Sequence, residues 1–221
     1  MILEEEYRKY KWFFTSGGKL VVGGKNALQN DELLIKVKKE GKERYVMHTS
    51  HPGSPFCVIL SDIDKVTKKD LAECAIFTGS FSRAWKDGKT KTEVHLFKTS
   101  QVSKPAGAKT GTWFVKGKVE KRDVELKLVI ITQKGFLRAV PKESAVKSEI
   151  LAEITPGVND KTDMLAKFEM ELEKRNVKFS REELLGALPA GGVRIISAGD
   201  IKKKTKTPKR KAGKKTSKKR K

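Results

Sequence analysis

Only two cysteines, Cys57 and Cys74, and three histidines, His48, His51 and His95, occur in the 221 residues. Two thiols flanked by apolar residues suit buried, reduced side chains and not the disulfide framework of a small secreted domain. No apolar run approaches the ~18 residues that a membrane-crossing helix needs. Met1-Ile2-Leu3 is followed at once by Glu4-Glu5-Glu6, which leaves neither the basic n-region nor the apolar h-region of a secretory leader. These absences predict a cytoplasmic chain with no membrane partner. Ser54 lacks the Gly-x-Ser-x-Gly setting of a nucleophile elbow, and the glycines before Lys25 miss the G-x-x-x-x-G-K spacing of a nucleotide-hydrolysing loop. Acidic residues are absent altogether from residues 202–221.

What is abundant is positive charge. Lys and Arg number 49 against 27 Asp and Glu, for a formal net charge of +22. Thirteen of those cations fall in residues 202–221, which leaves 36 basic against 27 acidic residues for the body. The tail has no apolar residue larger than Pro208 and so cannot offset the entropy of ordering; it is expected to be disordered. A like-charge run of this length reads as a polyanion-binding arm, or else as a plain solubilising end. With no neighbouring apolar helix and no lipidation signal, nucleic acid is favoured over an anionic membrane, through Lys202, Lys203, Lys204, Lys209, Arg210 and Lys211. Such contacts are sequence-independent and leave DNA open as a partner.

The body patterns as one α+β domain, residues 1–199, with a mostly antiparallel sheet flanked by helices, followed by the tail at 200–221. Residues 12–14 and 20–22 read as strands around a Ser16-Gly17-Gly18 hairpin, and residues 26–38 as a helix carrying Leu28, Leu33, Leu34 and Val37. Strands follow at 44–48 and 56–60, bracketing Pro52-Gly53. Thr67-Lys68-Lys69-Asp70 is a capping box with Asp in the Glu position, ahead of a helix whose spacing runs from Leu71 to Trp85. Strands are then expected at 94–97, 113–115, 124–131 and 136–140, the last two joined by a Gln133-Lys134-Gly135 turn; residues 101–111 form a polar loop. A strand at 150–154, a helix at 160–174, a helix capped by Ser180-Arg181-Glu182-Glu183 and a strand at 193–196 complete the pattern. Trp12, Trp85 and Trp113 lie in apolar runs and are expected in the core.

The chemistry concentrates in residues 23–54 and in a later loop. Gly24 admits close approach of backbone to a phosphate, Lys25 supplies charge, and Asn26, Gln29 and Asn30 carry amides able to meet a phosphate or a base edge; equally, Asn26 or Asn30 can cap the helix. His48, Thr49, Gly53 and Ser54 form a second polar loop, in which a histidine either stacks on a base or satisfies a turn carbonyl. Lys104 and Lys109 flank Pro105 and Gly107 in a loop that reads either as a phosphate clamp or as a surface hairpin. His48 and His51, three apart in an extended segment, point to opposite faces, so no metal and no cofactor is expected. Three classes remain: a non-catalytic RNA-binding module, an RNA-acting enzyme using His48 and His51 with Asp62 or Asp64, and a DNA-binding chromatin-like protein.

The ordered motifs carry a resemblance. Residues 24–31 (GKNALQND), His48-Thr49 with Pro52-Gly53-Ser54, and residues 104–111 (KPAGAKTG) are similar in kind and order to the NFACT-R domain, with Ile154-Thr155-Pro156-Gly157 and Leu188-Pro189-Ala190-Gly191-Gly192 extending the match over residues 5–196. That domain is the RNA-binding module of the ribosome quality-control factors, a group that includes the nuclear export mediator factor. The NFACT-N domain, helix-hairpin-helix elements and coiled coil of the full-length factors find no counterpart in the sequence, which resembles a stand-alone NFACT-R protein. The resemblance implies binding of ribosomal or transfer RNA, in contact with the large ribosomal subunit, without catalysis. Extension of a nascent tail on a stalled subunit depends on the missing parts and does not carry over. The oligomeric state is not legible in the sequence.

Overall fold

Every strand predicted in the first hundred residues joins one sheet, and its two covered faces explain why a run such as Leu20-Val21-Val22 is apolar without a break. In the computed structural model, which describes residues 2–146, 148–159 and 161–196, helix α1 (Ile2–Glu6) precedes β1 (Lys11–Phe14), and the chain returns as β2 (Leu20–Gly23). After α2 (Ala27–Lys39) come β3 (Tyr45–Thr49), β4 (Cys57–Ile59), α3 (Lys68–Ser80), α4 (Arg83–Lys86) and the long β5 (Lys91–Lys98). A two-residue pair, β6 (Val102–Ser103) with β7 (Phe114–Val115), brackets the polar loop. Then β8 (Glu120–Glu125) completes a six-stranded antiparallel sheet in the order β1-β2-β4-β3-β5-β8. The chain goes on through β9 (Leu128–Gln133), β10 (Phe136–Val140), β11 (Ala152–Pro156), α5 (Lys161–Glu173), α6 (Arg181–Ala187) and β12 (Val193–Ile196). Its strands form a second antiparallel sheet, β10-β9-β11-β12.

Side chains on successive strand residues point to opposite faces. Trp12, Val22, Val46, Val58 and Phe97 pack on Leu33, Leu34 and Val37 of α2. Their neighbours Phe13, Val21, Met47, Cys57 and Ile59 share the opposite core with Leu71, Cys74, Ala75 and Phe77 of α3. That core continues into the second sheet, where Leu128, Val129, Ile130 and Ile131 are fully buried and join Leu165 and Phe168 of α5. Both cysteines are buried and free, and burial pushes the Cys57 thiol up to about 12.

The structure departs from the pattern at points with local causes. The strand expected over 124–131 is two: Leu126, buried, turns its N–H to the Thr90 carbonyl, and the chain crosses there from the first sheet to the second. The single sheet expected is therefore two sheets plus the small β6–β7 pair. The helix expected through Trp85 breaks at Phe81, because the Ser82 hydroxyl donates to the Gly79 carbonyl and accepts from the Ala84 N–H, ending α3 and capping α4 at once. Leu28 stands outside the core and is 71% exposed; it sits about 200° around the helix from the buried Asn30. Only Phe114 and Val115 of the 113–115 strand pair, and both are exposed. The Thr67–Asp70 capping box forms in full, whereas Ser180 makes only its own half because Glu183 accepts from the Leu137 N–H instead. The glycine motifs of the last third are packing devices: the Trp85 indole donates to the Gly192 carbonyl, and a Cβ on Gly192 would lie 2.0 Å from the Gly157 oxygen. The tail expected at 200–221 lies outside the described residues.

Candidate nucleic-acid interface

Antiparallel pairing sets Lys11, at the start of β1, opposite Gly23, at the end of β2, and Gly23 opposite Cys57, at the start of β4. The end of β3 and the N-terminus of α2 fall at the same end of the sheet. There, on the α2 side, a cleft of about 660 Å³ opens. His48, Phe56, His95 and Phe97 make its floor; its walls come from residues 24–30, 49–55 and 110–113. Three motifs scattered along the sequence thus line one concavity.

The first wall is a helix start held from both sides. Asn26 caps α2, its side chain accepting from the Gln29 N–H at 2.9 Å, while the Gln29 side chain accepts from the Lys25 N–H at 3.0 Å. Lys25 itself is exposed. Asn30 is buried: its Oδ1 accepts from the Phe56 N–H at 3.0 Å and its amide donates to the Ser54 carbonyl at 3.5 Å. Gly24 is required by that arrangement, since a Cβ there would lie 2.3 Å from Asn30 Oδ1 and 2.6 Å from Asn30 N. Asn30→Ala strands the buried Phe56 N–H, so a stability loss of about 1–3 kcal/mol is expected. Thermal melts check this; an unchanged melting temperature would return Asn30 to the role of a ligand-reading amide.

The second wall is stapled internally. The Ser54 hydroxyl accepts from the Thr49 N–H at 3.0 Å, and the Thr49 hydroxyl donates to the His51 carbonyl at 2.7 Å, so both side chains are buried supports. Gly53 takes φ +108, a left-handed value that favours glycine, and its carbonyl accepts from the Arg83 N–H at 2.8 Å, tying the turn to α4. His48 stacks on Phe56 with ring centroids 4.4 Å apart, and its Nδ1 lies 2.7 Å from the Thr49 carbonyl. A carbonyl only accepts, so Nδ1 carries the hydrogen and Nε2 of the neutral ring is an acceptor. Burial lowers the His48 pKa, the Thr49 carbonyl opposing and neighbouring His95 assisting. The unfolded chain therefore takes up this proton first. Stability is full above about pH 6.5 and falls as pH drops through the folded pKa. The melting temperature is expected to decline from pH 7 to pH 5 and His48→Gln to flatten that decline; equal slopes would contradict it. The carboxylates whose pKa is lowered, Asp31 and Asp70 among them, lose their contribution only as pH falls below about 5.

Asp31 builds the third wall. One carboxylate oxygen accepts from the Trp113 indole at 2.7 Å and the Gly111 N–H at 3.1 Å; the other pairs with Lys104, whose ammonium lies 5.6 Å from the Trp113 ring centroid. Burial alone would raise the Asp31 pKa, but these three donors outweigh it and hold the carboxyl low. Gly111, at φ +79, rests on Ala27 so closely that a Cβ would come within 2.8 Å of the Ala27 Cβ. Lys104 is thus tethered to Asp31 and only partly exposed, while Lys109 is exposed.

Of the expected site residues, Gly24, Lys25, Asn26, Asn30, His48, Thr49, Gly53 and Ser54 line the cleft; Gln29, Lys104 and Lys109 stand behind or beside it. The tail residues 202–204 and 209–211 lie outside the described residues. Sequence reasoning missed Lys11, His95 and Trp113, all of which line the cleft. His95 faces His48 across the β3–β5 register, which only the strand pairing reveals. Trp113, placed in the core by its apolar neighbours, is half-buried at the cleft wall, whereas Trp12 and Trp85 are core. Asp62 pairs with Arg44 at 3.1 Å, at the start of β3, and so sits at the opposite end of that strand from Thr49. Among the described residues, no three His, Cys, Asp or Glu side chains gather as metal ligands, and no helix is long and apolar enough to cross a membrane.

Comparison with known proteins gives a consistent assignment. The family model described as "NFACT protein RNA binding domain" matches residues 9–122. An archaeal Rqc2 homolog, aRqcH of Methanocaldococcus jannaschii, is 31% identical over 199 residues, which are 86% of this chain and 29% of that protein. The ribosome quality control complex subunit NEMF homolog of Drosophila melanogaster is 34% identical over 117 residues, 51% of this chain and 12% of that protein. The Rqc2 homolog RqcH of Streptococcus suis is 30% identical over 150 residues, 66% and 23%. The chain spans less than a third of the length of these curated relatives. A solved structure of the C-terminal part of the fibronectin/fibrinogen-binding protein from Streptococcus suis is 24% identical, with a TM-score of 0.45 over 52% of this chain and 44% of that one.

Proposed function

The chain belongs to the family of the NFACT protein RNA binding domain, and from that premise we propose that the cleft at the end of the six-stranded sheet holds a single-stranded stretch of transfer or ribosomal RNA, without catalysis, in a ribosome quality-control setting. The observation that carries the reading is the convergence of residues 24–30, 48–54 and 110–113 on one concavity beside the start of α2. Its chemistry suits RNA. Lys11 and Lys25 supply charge for phosphates, and Trp113 and the His48–Phe56 stack offer flat faces to unstacked bases. A binding role is favoured over an enzymatic one because His48 has its Nδ1 engaged with a backbone carbonyl and Asp62 is at the far end of β3. Residues 1–199 act as the folded body, and residues 200–221 as an electrostatic arm that adds affinity without sequence preference. The Drosophila relative's name, a ribosome quality control complex subunit, supports a ribosomal setting; on this reading the contact is with the large subunit, and transfer RNA and ribosomal RNA are the two candidates.

Ultraviolet crosslinking of the full chain to transfer RNA, to ribosomal RNA fragments and to single-stranded DNA of matched length tests this. Crosslinked peptides are expected to contain residues 24–30, 48–54 and 104–113, with RNA outcompeting DNA. Crosslinks confined to other surfaces, or DNA competing equally, would overturn the cleft assignment.

A further inference from the structure

A second concavity of about 420 Å³ lies beside the cleft, between Trp12 of β1, Arg138 of β10 and residues 185–188 at the end of α6. The Arg138 guanidinium is stacked 4.2 Å from the centroid of the Trp12 ring, and its buried Nε has no hydrogen-bond partner. Among the described residues Arg138 makes no ion pair either, although the Glu183 carboxylate lies near enough to favour its charge against burial. The Trp12 indole nitrogen beneath it is also buried without a partner. At the rim, exposed Arg8 stacks 4.7 Å from the Phe136 ring centroid. A half-buried cation that lacks a paired anion weakens folding, so such an arrangement points to an external ligand. Each guanidinium lies over an aromatic ring, an arrangement in which its terminal N–H groups can still meet a planar or tetrahedral anion. Lys11, Lys25 and Phe81 line this concavity and the cleft alike, so the two form one continuous basic path.

We propose that this concavity is a second nucleotide subsite, in which Arg138 and Arg8 bind a phosphodiester of the strand leaving the cleft past Lys11 and Lys25, and Phe81 and Leu188 pack against its base or ribose. The inference rests on RNA occupying the cleft and goes beyond it: Arg138 and α6 lie outside residues 9–122, so the second sheet contributes binding residues of its own. An acidic peptide is the competing occupant, disfavoured by the continuity with the cleft.

The test measures binding of the full chain to single-stranded RNAs of about 4 and about 12 nucleotides, lengths within the range that such grooves hold. In Arg138→Met, the long RNA is expected to lose roughly tenfold in affinity and about 0.7 of its salt slope, one phosphate contact. Binding of the short RNA and the melting temperature are expected to hold, since the variant removes a half-buried cation that makes no ion pair among the described residues. Should the variant melt lower, Arg138 has a structural role and the exposed Arg8→Ser decides, with the same length-dependent loss expected. Equal binding of the long RNA by the unmodified chain and both variants would overturn the subsite while leaving the cleft reading intact. An equal loss for short and long RNA, or displacement by poly-glutamate only of the Arg138-dependent part, would overturn it too. If neither RNA binds the unmodified chain, the cleft reading itself fails.

Discussion

Truncation after Gly199 is expected to flatten the salt dependence of RNA binding while leaving the melting temperature of the body unchanged. The removed segment carries 13 Lys or Arg and no acid from residue 202 onward. If about five of these neutralise phosphates of a single strand, at roughly 0.7 of a counterion each, the full chain loses on the order of a hundredfold in affinity between 50 and 200 mM salt. The truncated chain should retain only the shallower slope of its cleft cations. Its stability should stay within about 0.5 kcal/mol, since a Lys/Arg-rich segment with no apolar residue larger than proline from residue 202 onward has little to bury. Anisotropy titrations at four or five salt concentrations, with melts on the same preparations, measure both quantities. Equal slopes for the two proteins would remove the tail from the binding reaction.

Local chemistry was legible in the sequence wherever a single segment determines its own structure. The Asn26 cap, the Thr67–Asp70 box and the hairpin around Ser16-Gly17-Gly18 all form as their residues predict. Non-local decisions were not legible. The apolar run from Val124 to Ile131 has no turn residue in it, so nothing local marks Leu126 as the crossing point between sheets; burial of Leu126 and its bond to Thr90 settle it, and both require the rest of the fold. Phe81 and Ser82 likewise continue a helical spacing, and only the placement of the Ser82 hydroxyl against two backbone groups ends the helix.

The candidate site divides along the same line. Glycine and amide motifs identified the neighbourhood, because left-handed φ values and side-chain-to-backbone bonds have local signatures at Gly53 and Asn26. The roles within it were set by distant partners. Asn30, Thr49 and Ser54 proved to be buried supports because each meets backbone from another part of the chain or turn. His95 and Lys11 entered through strand register alone. The largest addition concerns Lys104, which a sequence reading places in a loop that is either a phosphate clamp or a surface hairpin and which is paired with Asp31 at a wall of the cleft.

Asp31→Ala separates these two roles by the sign of its effect. If Lys104 is a phosphate ligand merely restrained by Asp31, its release adds a free cation, and RNA affinity should rise. If Asp31 instead anchors the loop, the variant strands the Trp113 indole, the Gly111 N–H and a partly buried ammonium together. Residues 104–113 would then have to be ordered at the moment of binding, an added cost of about 1–2 kcal/mol, so affinity should fall roughly tenfold or more. The second outcome is expected, because Gly111 is seated on Ala27 and the carboxylate is mostly covered, its side chain 15% exposed. Tryptophan quenching gives an independent readout. Trp12 and Trp85 are 1% and 0% exposed, so Trp113 is the tryptophan that a small quencher reaches. In Asp31→Ala its accessibility should increase sharply while the melting temperature of the two-sheet core changes little, since the β6–β7 pair lies outside both sheets. Asp31→Asn keeps an oxygen able to accept from the indole but not the charge that holds Lys104, and intermediate losses in both measurements are expected. Higher RNA affinity in Asp31→Ala, with quenching unchanged, would restore Lys104 as a direct phosphate ligand and remove the anchored loop from the account of the cleft.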